Sequence, residues 1–174
     1  MENIILIGMP SCGKSTVGVV LAKTMGYRFI DSDLLIQESE HRLLSKIIEQ
    51  EGLDGFNKIE NKVNASINTD RSVIATGGSV VYGKEAMEHL KKTGAVVYIK
   101  LPYEEIAHRL GNLAKRGVSI KKGQTLLDLY NERVPLYEKY ADIIIEEKGM
   151  SIPQTVSVIK DKCNEFFKNR KKNL

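Results

Sequence analysis

The sequence from Ile4 to Ser15 reads IILIGMPSCGKS, an apolar run that leads directly into the pattern G-x-x-x-x-G-K-S. A short and continuously apolar run is typical of a buried strand, and the residues after it, 15–25, have the pattern of a helix. A strand before and a helix after are the context that a phosphate-binding P-loop requires. The alternative is a glycine turn that only joins a buried strand to a helix.

Each part of this loop has a chemical role toward a nucleoside triphosphate. The glycines allow the backbone to turn so that its N–H groups point at phosphate oxygens. Lys14 is placed to reach the β- and γ-phosphates, and the Ser15 hydroxyl to ligate Mg²⁺. The following helix directs the positive end of its dipole at the same phosphates. We therefore predict that ATP binds with Mg²⁺ at Gly8, Ser11, Cys12, Gly13, Lys14, Ser15 and Thr16.

The bulk composition is that of an ordinary globular protein. The 174 residues are 42% hydrophobic and 28% charged, and the length suits a single domain over 1–174. The formal net charge is +4, and much of it lies in a basic C-terminal tail at 168–174. We interpret this tail as a solvated, frayed end and expect a monomer with no nucleic-acid or membrane partner.

The cysteines and the absence of a targeting segment favour a cytoplasmic location. Cys12 and Cys163 lie far apart in the sequence and outside any metal-ligand spacing, which indicates a reducing compartment. The first apolar run is far too short to span a membrane or to act as a signal peptide. Cys12 lies beside Lys14, whose positive charge favours thiol reactivity. This cysteine is therefore either redox-sensitive or simply a small residue that suits the loop.

Short apolar runs alternate with helical patterns along the chain. The runs lie at 4–7, 73–75, 96–99 and 143–145, with a shorter fifth at 29–30. Their continuous apolar character is typical of parallel strands that are covered on both faces. The helical patterns lie at 15–25, 34–50, 55–67, 84–92, 103–113, 125–140 and 152–168. This order predicts an α/β fold, a three-layer α/β/α sandwich with a central parallel sheet, of the P-loop NTPase or nucleoside monophosphate kinase type.

One segment, at about 112–124, does not fit a helix or a strand. It is polar and basic, and it contains Gly117 and Gly123, which can serve as hinges. We interpret it as a lid over the nucleotide and expect residues 114–124 to be poorly ordered without ligand. The alternative is a surface loop without a role.

Two carboxylates follow the apolar pair at 29–30. Asp31 and Asp33 are expected at the carboxyl end of a strand, where open α/β sheets bind their ligands. One carboxylate can hold Mg²⁺, directly or through water, and the other can accept a proton from a substrate hydroxyl. The alternative, which is compatible with these roles, is that they cap the next helix.

Further candidates lie in the second half of the chain. Gly77 and Gly78 follow the run at 73–75 and permit close approach of a ligand to the backbone, although a plain turn explains them too. Three arginines suit the recognition of carboxylate or phosphate because their planar fork binds bidentately. Read singly, each is a surface charge: Arg109, Arg116 and Arg133.

Taken together, these elements resemble the shikimate kinase family of small P-loop kinases. The resemblance extends from Ile4 to about Glu146 and includes Asp31-Ser32-Asp33, Gly77-Gly78-Ser79 and Arg133-Val134-Pro135-Leu136-Tyr137. Many families share the P-loop alone, but the ordered combination is much more specific.

The resemblance implies a role for each matching position. Asp31 would hold the metal through water, and Asp33 would bind the acceptor hydroxyl and act as base. Gly77 and Gly78 would offer backbone contacts to the acceptor. Arg109 would stack on adenine. Arg116 would contact the transferring phosphoryl group from the lid, and Arg133 would bind the acceptor carboxylate.

The departures from the family pattern are concentrated on the acceptor side. The family element F-R-x-x-E reads Phe56-Asn57-Lys58-Ile59-Glu60, so Asn57 replaces an arginine that would share the acceptor carboxylate. Lys58 is not a simple replacement, because one step along a helix turns a side chain by about 100°. The third glycine of the family triplet is Ser79, and the lid lacks a proline after Arg116. Loss of one charge-assisted hydrogen bond costs about 1.5–3 kcal/mol.

Three functions follow as hypotheses. The first is an ATP-dependent kinase that phosphorylates a hydroxyl of shikimate in aromatic amino acid biosynthesis. The second is a kinase of the same fold with a different small hydroxylated acceptor, suggested by Asn57 and Ser79. The third is a nucleotide-binding protein that no longer catalyses transfer, against which the presence of Asp31, Asp33 and Arg116 argues.

Overall fold

The computed structural model of the chain describes residues 1–111 and 120–172. These residues form a five-stranded sheet in the order β2-β3-β1-β4-β5, and every neighbouring pair is parallel. The strands are β1 (Asn3–Ile7), β2 (Arg28–Asp31), β3 (Ser72–Ala75), β4 (Gly94–Lys100) and β5 (Ile143–Glu146). All five predicted strands are thereby confirmed.

Burial along the strands follows their position in the sheet. β1 and β3 are buried at every residue, and β4 is buried at all but its last. Ile5 at the centre of the sheet pairs with Ile74 on one side and with Val96 on the other. The edge strand β5 instead alternates between buried and exposed residues. The continuous apolar runs in the sequence thus correspond to strands that are covered on both faces.

Helices follow each of the first four strands and close the chain after the fifth. They are α1 (Lys14–Met25), α2 (Ser32–Glu40), α3 (Leu44–Ala65), α4 (Lys84–Thr93), α5 (Tyr103–Leu110), α6 (Leu126–Tyr140) and α7 (Ile152–Lys172). A short 3-10 helix, Val80–Tyr82, precedes α4. None of the helices in the described residues is long and apolar enough to span a membrane.

The helices lie on both faces of the sheet. On one face, Gly18 of α1 packs so closely on β1 that a Cβ there would lie 3.3 Å from Leu6. Tyr98 of β4 pairs with Ile7, the residue after Leu6, so its side chain points to the opposite face. There Tyr98 stacks on Tyr137 of α6 at a centroid distance of 5.1 Å. The predicted three-layer α/β/α sandwich is confirmed.

Two hydrophobic cores stabilise different parts of the structure. The larger core surrounds the sheet and includes all of β1 from Ile4 to Ile7. A second, smaller cluster joins α2 to α3 and consists of Ile36, Ile47 and Phe56. The two helices that this cluster joins carry Asp33 and Glu60.

The break between the second and third helices differs from the prediction of helices at 34–50 and 55–67. α2 ends before His41, which adopts the left-handed conformation with φ 52°. The interruption predicted between residues 50 and 55 corresponds to Gly52 inside α3, whose φ of 69° and ψ of −179° are not helical. The prediction of one helix over 34–50 is wrong. Apolar spacing continues across the true helix end, and the residue at that end is not a glycine, so the usual stop signal is missing.

The ends of two other helices also differ. The predicted helix 103–113 stops at Leu110, because Gly111 terminates it with φ 52°. The last helix is longer than the predicted 152–168 and runs to Lys172. Within it, Arg170 donates hydrogen bonds to the carbonyls of Lys92 at 2.8 Å and Gly94 at 3.3 Å. The interpretation of this basic stretch as frayed is therefore wrong up to residue 172.

Candidate functional site

A cleft of about 980 Å³ opens at the carboxyl edge of the sheet, where β1, β2 and β3 end. This edge is where open α/β sheets bind their ligands. The phosphate loop forms one end of the cleft with Pro10, Ser11, Gly13, Lys14, Ser15 and Thr16. The other end is formed by Leu44 and Phe56 and by polar residues from four segments, namely Asp33, Glu60, Thr76, Gly77, Gly78, Ser79 and Arg133. His108, Arg109 and Leu110 lie along the side.

The phosphate loop needs glycine at its first position for two reasons. Gly8 has φ 147°, and a Cβ there would lie 2.7 Å from the carbonyl oxygen of Ile99. Gly13, with φ 95°, caps the start of α1 without a side-chain hydrogen bond. The first turn of α1 consists of Lys14, Ser15, Thr16 and Val17, which carry no negative charge. The backbone N–H groups and the positive dipole end at the start of α1 therefore suit the binding of an anion in the cleft.

Lys14 lies folded over the loop that precedes it. Its ammonium donates hydrogen bonds to the carbonyls of Gly8 at 2.8 Å and Met9 at 2.9 Å, and it lies 3.7 Å from Sγ of Cys12. Cys12 itself is fully buried and packs against Gly8, so it belongs to the inner side of the loop and not to the cleft wall. Its redox sensitivity stays a prediction.

Asp31 connects the phosphate loop to the start of α2. Its Oδ2 accepts a hydrogen bond from the Ser15 hydroxyl at 3.4 Å, and its Oδ1 accepts one from the backbone N–H of Asp33 at 3.0 Å. The second bond caps α2, which confirms the capping alternative for Asp31. The first bond places a hydroxyl and a carboxylate oxygen side by side at the phosphate end of the cleft.

This oxygen pair suits Mg²⁺. Magnesium prefers hard oxygen ligands and usually keeps several waters, with only one or two protein ligands plus phosphate oxygens. In residues 1–111 and 120–172, no group of three or more His, Cys, Asp or Glu side chains could form a metal cage of its own. Ser15 and Asp31 therefore fit a metal that is shared with a nucleotide.

The Asp33 carboxyl is half-buried in the cleft. Burial raises its pKa above the ordinary value for aspartate, and the negative charge of Asp31 raises it further, while Lys14 opposes the shift. A carboxylate with a raised pKa is a stronger proton acceptor than an exposed one. Asp33 thus lines the cleft with a carboxyl whose pKa lies above the ordinary value for aspartate.

Glu60 lies deep at the other end of the cleft, with 1% of its surface exposed. A Cβ on Gly77 would collide with Oε1 of Glu60 and lie 2.8 Å from Oδ1 of Asp33, so the two carboxylates flank this glycine. Burial raises the pKa of Glu60 to about 7, and a hydrogen bond from the Ser79 side chain opposes the shift. Close approach of two carboxylates is possible here only because residue 77 has no side chain.

Arg133 is the buried cation of the acceptor end, with 1% of its surface exposed. Its Nε donates to the Tyr82 hydroxyl at 3.3 Å, and its guanidinium lies 5.4 Å from the centre of the Tyr82 ring. A Cβ on Gly78 would lie 2.9 Å from its Nη1. Tyr137, one turn further along α6, donates to the carbonyl of Gly78 at 2.6 Å. These contacts fix both the guanidinium and the glycine segment beside it.

Asn57 lies apart from the main cleft. It lines a neighbouring cavity of about 640 Å³, and Arg133 forms part of the walls of both spaces. Two lysines from the far end of the predicted lid line the same cavity, Lys121 and Lys122. Lys121 is paired with Glu132 at 3.6 Å. Asn57, which differs from the family pattern, thus lines a second cavity that adjoins the acceptor end of the cleft at Arg133.

Arg109 is held at the side of the cleft by two carboxylates. Its Nε donates to Glu105 at 3.0 Å, and its Nη1 donates to the buried Glu147 at 3.4 Å. Arg116 lies outside the described residues, as does most of the predicted lid at 112–124. The expectation that this segment is poorly ordered stays a prediction.

The cleft brings together most of the predicted site residues, from Lys14 and Asp33 to Arg133. Three predicted residues do not line the cleft but contact Lys14 or Ser15, which do: Gly8, Cys12 and Asp31. Asn57 lies in the adjoining cavity. Sequence reasoning missed the central place of Glu60, although a carboxylate one turn after Phe56 on a buried helix face was a usable signal.

A family model described as Shikimate kinase matches residues 10–164 of this chain. The chain belongs to the shikimate kinase family. Its relatives include the shikimate kinase of Clostridium botulinum (strain Eklund 17B / Type B), which is 38% identical over 162 residues, 92% of this chain and 96% of that protein. The shikimate kinase of Francisella tularensis subsp. novicida (strain U112) is 36% identical over 162 residues, 91% of this chain and 92% of that protein. The family predicted from the sequence is thereby confirmed.

Solved structures give the same result. The structure of the shikimate kinase from Acinetobacter baumannii in complex with shikimate superposes with a TM-score of 0.81, at 31% identity over 97% of this chain and 94% of that one. The shikimate kinase from Aquifex aeolicus vf5 superposes with a TM-score of 0.76, at 29% identity over 94% of this chain and 97% of that one. The fold is that of this family of kinases, and the superpositions cover nearly the full length of both chains.

Proposed function

We propose that this protein transfers the γ-phosphoryl group of ATP to a hydroxyl group of shikimate, giving shikimate 3-phosphate and ADP. The observation that supports the proposal most is the shared cleft, in which the phosphate loop faces Asp33 and Arg133. Membership of the family makes ATP the expected phosphoryl donor.

The phosphate end of the cleft supplies positive charge. Backbone N–H groups at the start of α1 and the Lys14 ammonium would hold the phosphates and offset the charge that develops during transfer. For this, Lys14 exchanges its hydrogen bonds to Gly8 and Met9 for phosphate oxygens. Mg²⁺, when held by Ser15 and through water by Asp31, supplies further neutralisation of the phosphates.

The acceptor end positions the nucleophile. Asp33 would accept a hydrogen bond from the acceptor hydroxyl and take its proton as the hydroxyl oxygen attacks phosphorus. Arg133 would bind the acceptor carboxylate and so orient the ring. Arg116 is proposed to cover the transferring group from the lid, and Arg109 to stack on adenine. Holding donor and acceptor in line is the main source of rate enhancement in such a site.

The decisive experiment combines purified protein, ATP, Mg²⁺ and shikimate. We expect ADP release that depends on shikimate, together with a singly phosphorylated product that is detected by mass spectrometry and ³¹P NMR. ADP release that is the same with and without shikimate would contradict the proposal and favour a nucleotide-binding protein without transfer activity.

A second candidate is a related hydroxylated acid as acceptor, and Asn57 is the observation that favours it. With an amide in place of a guanidinium, the acceptor end has lost one positive charge and borders a cavity of about 640 Å³. A screen of hydroxy acids and polyols, with shikimate included, compares kcat/KM among acceptors. A compound that exceeds shikimate by tenfold or more would replace it as the proposed acceptor. A cytoplasmic location and a monomeric state stay predictions.

A further inference from the structure

Among the cleft residues that the structure describes, Glu60 is the buried acid that the proposed transfer step does not use. Within the described part of the chain, Oε1 of Glu60 has no hydrogen-bond partner, although the side chain is almost fully buried. Glu60 lines the cleft beside Gly77, and a Cβ built on that glycine would meet both Oε1 of Glu60 and Oδ1 of Asp33. A buried and unpaired carboxylate oxygen is costly unless it is protonated or receives a ligand group.

The charges around Glu60 come from several elements and are nearly balanced. Asp33 on α2 disfavours a second negative charge, while Arg133 on α6 and Lys14 on α1 favour it. From the segment after β3, the Ser79 side chain contributes a neutral donor. On the α4 side, Glu85 is directed to Asn61, which donates to it at 3.2 Å. Without a ligand, the two carboxyl groups of Asp33 and Glu60 are thus accompanied by two cationic side chains, Arg133 and Lys14.

A bound acceptor changes this balance. The carboxylate of the acceptor, placed at Arg133 as in the proposed function, adds a third negative charge to the pocket. In the family pattern, a second guanidinium would stand at position 57, but here that residue is the neutral Asn57. Because like charges at close range cannot all stay ionised in a buried site, one of the groups has to take up a proton.

We propose that binding of the acceptor near neutral pH is coupled to the uptake of a proton by the Glu60 carboxyl group. The proton comes from solvent, forms an O–H bond on the Glu60 carboxyl, and returns to solvent when the product leaves. The protonated acid can then donate to a ligand oxygen, which uses the unpaired Oε1. This inference rests on the proposed function for the placement of the acceptor carboxylate.

The affinity for the acceptor should decrease as the pH rises. Burial already raises the pKa of Glu60 to about 7 in the free protein, and the acceptor charge raises it further. The acceptor therefore binds better to the protonated form, and its affinity falls as the pH rises above 7. A further shift of about one pKa unit on binding predicts a loss in affinity of about five- to tenfold between pH 6.5 and 8.5.

The test is isothermal titration of shikimate into the full-length protein without ATP or Mg²⁺, in two buffers of different ionisation enthalpy. We expect uptake of about half a proton between pH 7 and 8. The Glu60→Gln variant keeps a neutral side chain of the same shape, so we expect no proton uptake and an affinity that does not vary with pH. Proton uptake that persists in this variant, or is absent from the unaltered protein, overturns the proposal.

Two further variants test the charge balance. Asn57→Arg restores a cation near Glu60, and we expect proton uptake to fall close to zero while affinity for shikimate rises. Lys58→Arg, on the exposed side of the same helix, is the matched control and should leave the proton uptake unchanged. Unaltered uptake in Asn57→Arg contradicts the role assigned to the missing guanidinium. Thermal unfolding and ATP affinity show whether each variant is folded.

Failure of the proposed function can be distinguished from failure of this inference. If shikimate does not bind at any pH, the acceptor assignment is wrong, and Glu60 is then examined directly. ¹³C NMR of the glutamate carboxyl carbons, with the Glu60 signal identified by its loss in Glu60→Gln, gives its titration midpoint in the free protein. We expect a midpoint near 7, and a midpoint below about 5 overturns the inference.

Discussion

The two ends of the cleft follow the family pattern to different extents. The phosphate end retains every residue of its motif, while the acceptor end has lost one guanidinium at Asn57 and one glycine at Ser79. The phosphate end acts largely through backbone N–H groups, which only the loop geometry can supply. The acceptor end acts through side-chain charges, which can be exchanged one for another. Geometry that is set by the backbone tolerates less change than a balance of charges.

The largest effect is expected at the phosphate end. Lys14→Ala removes the ammonium that would hold the phosphates in the proposed function, and we expect kcat to fall by about a thousandfold or more. Lys23→Ala, in the exposed last turn of the same helix, is the matched control and should retain full activity. Steady-state ADP release measures both variants, and substantial activity in Lys14→Ala would contradict the nucleotide assignment.

Asp33 lines the acceptor end of the cleft, and its replacement should be nearly as harmful. Asp33→Asn removes the proton acceptor, so we expect kcat to fall by about a hundredfold or more. Asp161→Asn, an exposed change on α7, should have no effect. In the unaltered protein, activity should be present above the pKa of Asp33 and lost as the pH falls through it.

The acid limb of the pH profile measures this carboxyl. Because burial and Asp31 raise the Asp33 pKa, activity should begin to decline at a higher pH than for an ordinary aspartate. A log kcat profile that stays flat down to pH 4 would show that Asp33 does not act in its ionised form.

One added methyl group, in Gly77→Ala, should weaken binding of the acceptor without weakening binding of ATP. In Gly77→Ala, the new Cβ meets both Glu60 and Asp33, so their carboxylates must move apart. We expect KM for the acceptor to rise by about tenfold to a hundredfold, which corresponds to about 1.4–2.7 kcal/mol. Affinity for ATP should change by less than twofold and serves as the internal control. An equal loss for both ligands would indicate a general loss of folding.

The smallest effect is expected at the side of the cleft. Glu147→Gln removes the buried partner of Arg109 and leaves Glu105 as its ion-pair partner among the described residues. We expect affinity for ATP to fall by about two- to fivefold, the range of a weak ion pair, with kcat unchanged. Glu146→Gln, the exposed neighbour on β5, is the control. Equal ATP affinities in the two variants would exclude a positioning role for Glu147.

Much of this arrangement follows from local sequence. Gly8 and Lys14 identify the phosphate loop, and the apolar runs predict every strand, because buried parallel strands have a composition of their own. From there, the rule that ligands bind at the carboxyl ends of strands is sufficient to bring Asp33 and Gly77 to one cleft.

Features that depend on distant packing were not predictable in the same way. The left-handed turn at His41 has no glycine to mark it, and the apolar pattern continues past it. The end of α2 could therefore not be predicted from the sequence. The proximity of Glu60 to Asp33 depends on how α3 lies against the segment after β3. The contacts of Arg170 with the end of α4 cannot be derived from periodicity, whereas the interruption at Gly52 lies in the gap between two predicted helical patterns.

The small cluster of Ile36, Ile47 and Phe56 is separate from the core that surrounds β1. A substitution within it would disturb the packing of α2 and α3, while the larger core keeps its contacts. Because α2 and α3 carry Asp33 and Glu60, such a substitution should alter the acceptor end of the cleft more than the sheet that supports the phosphate loop.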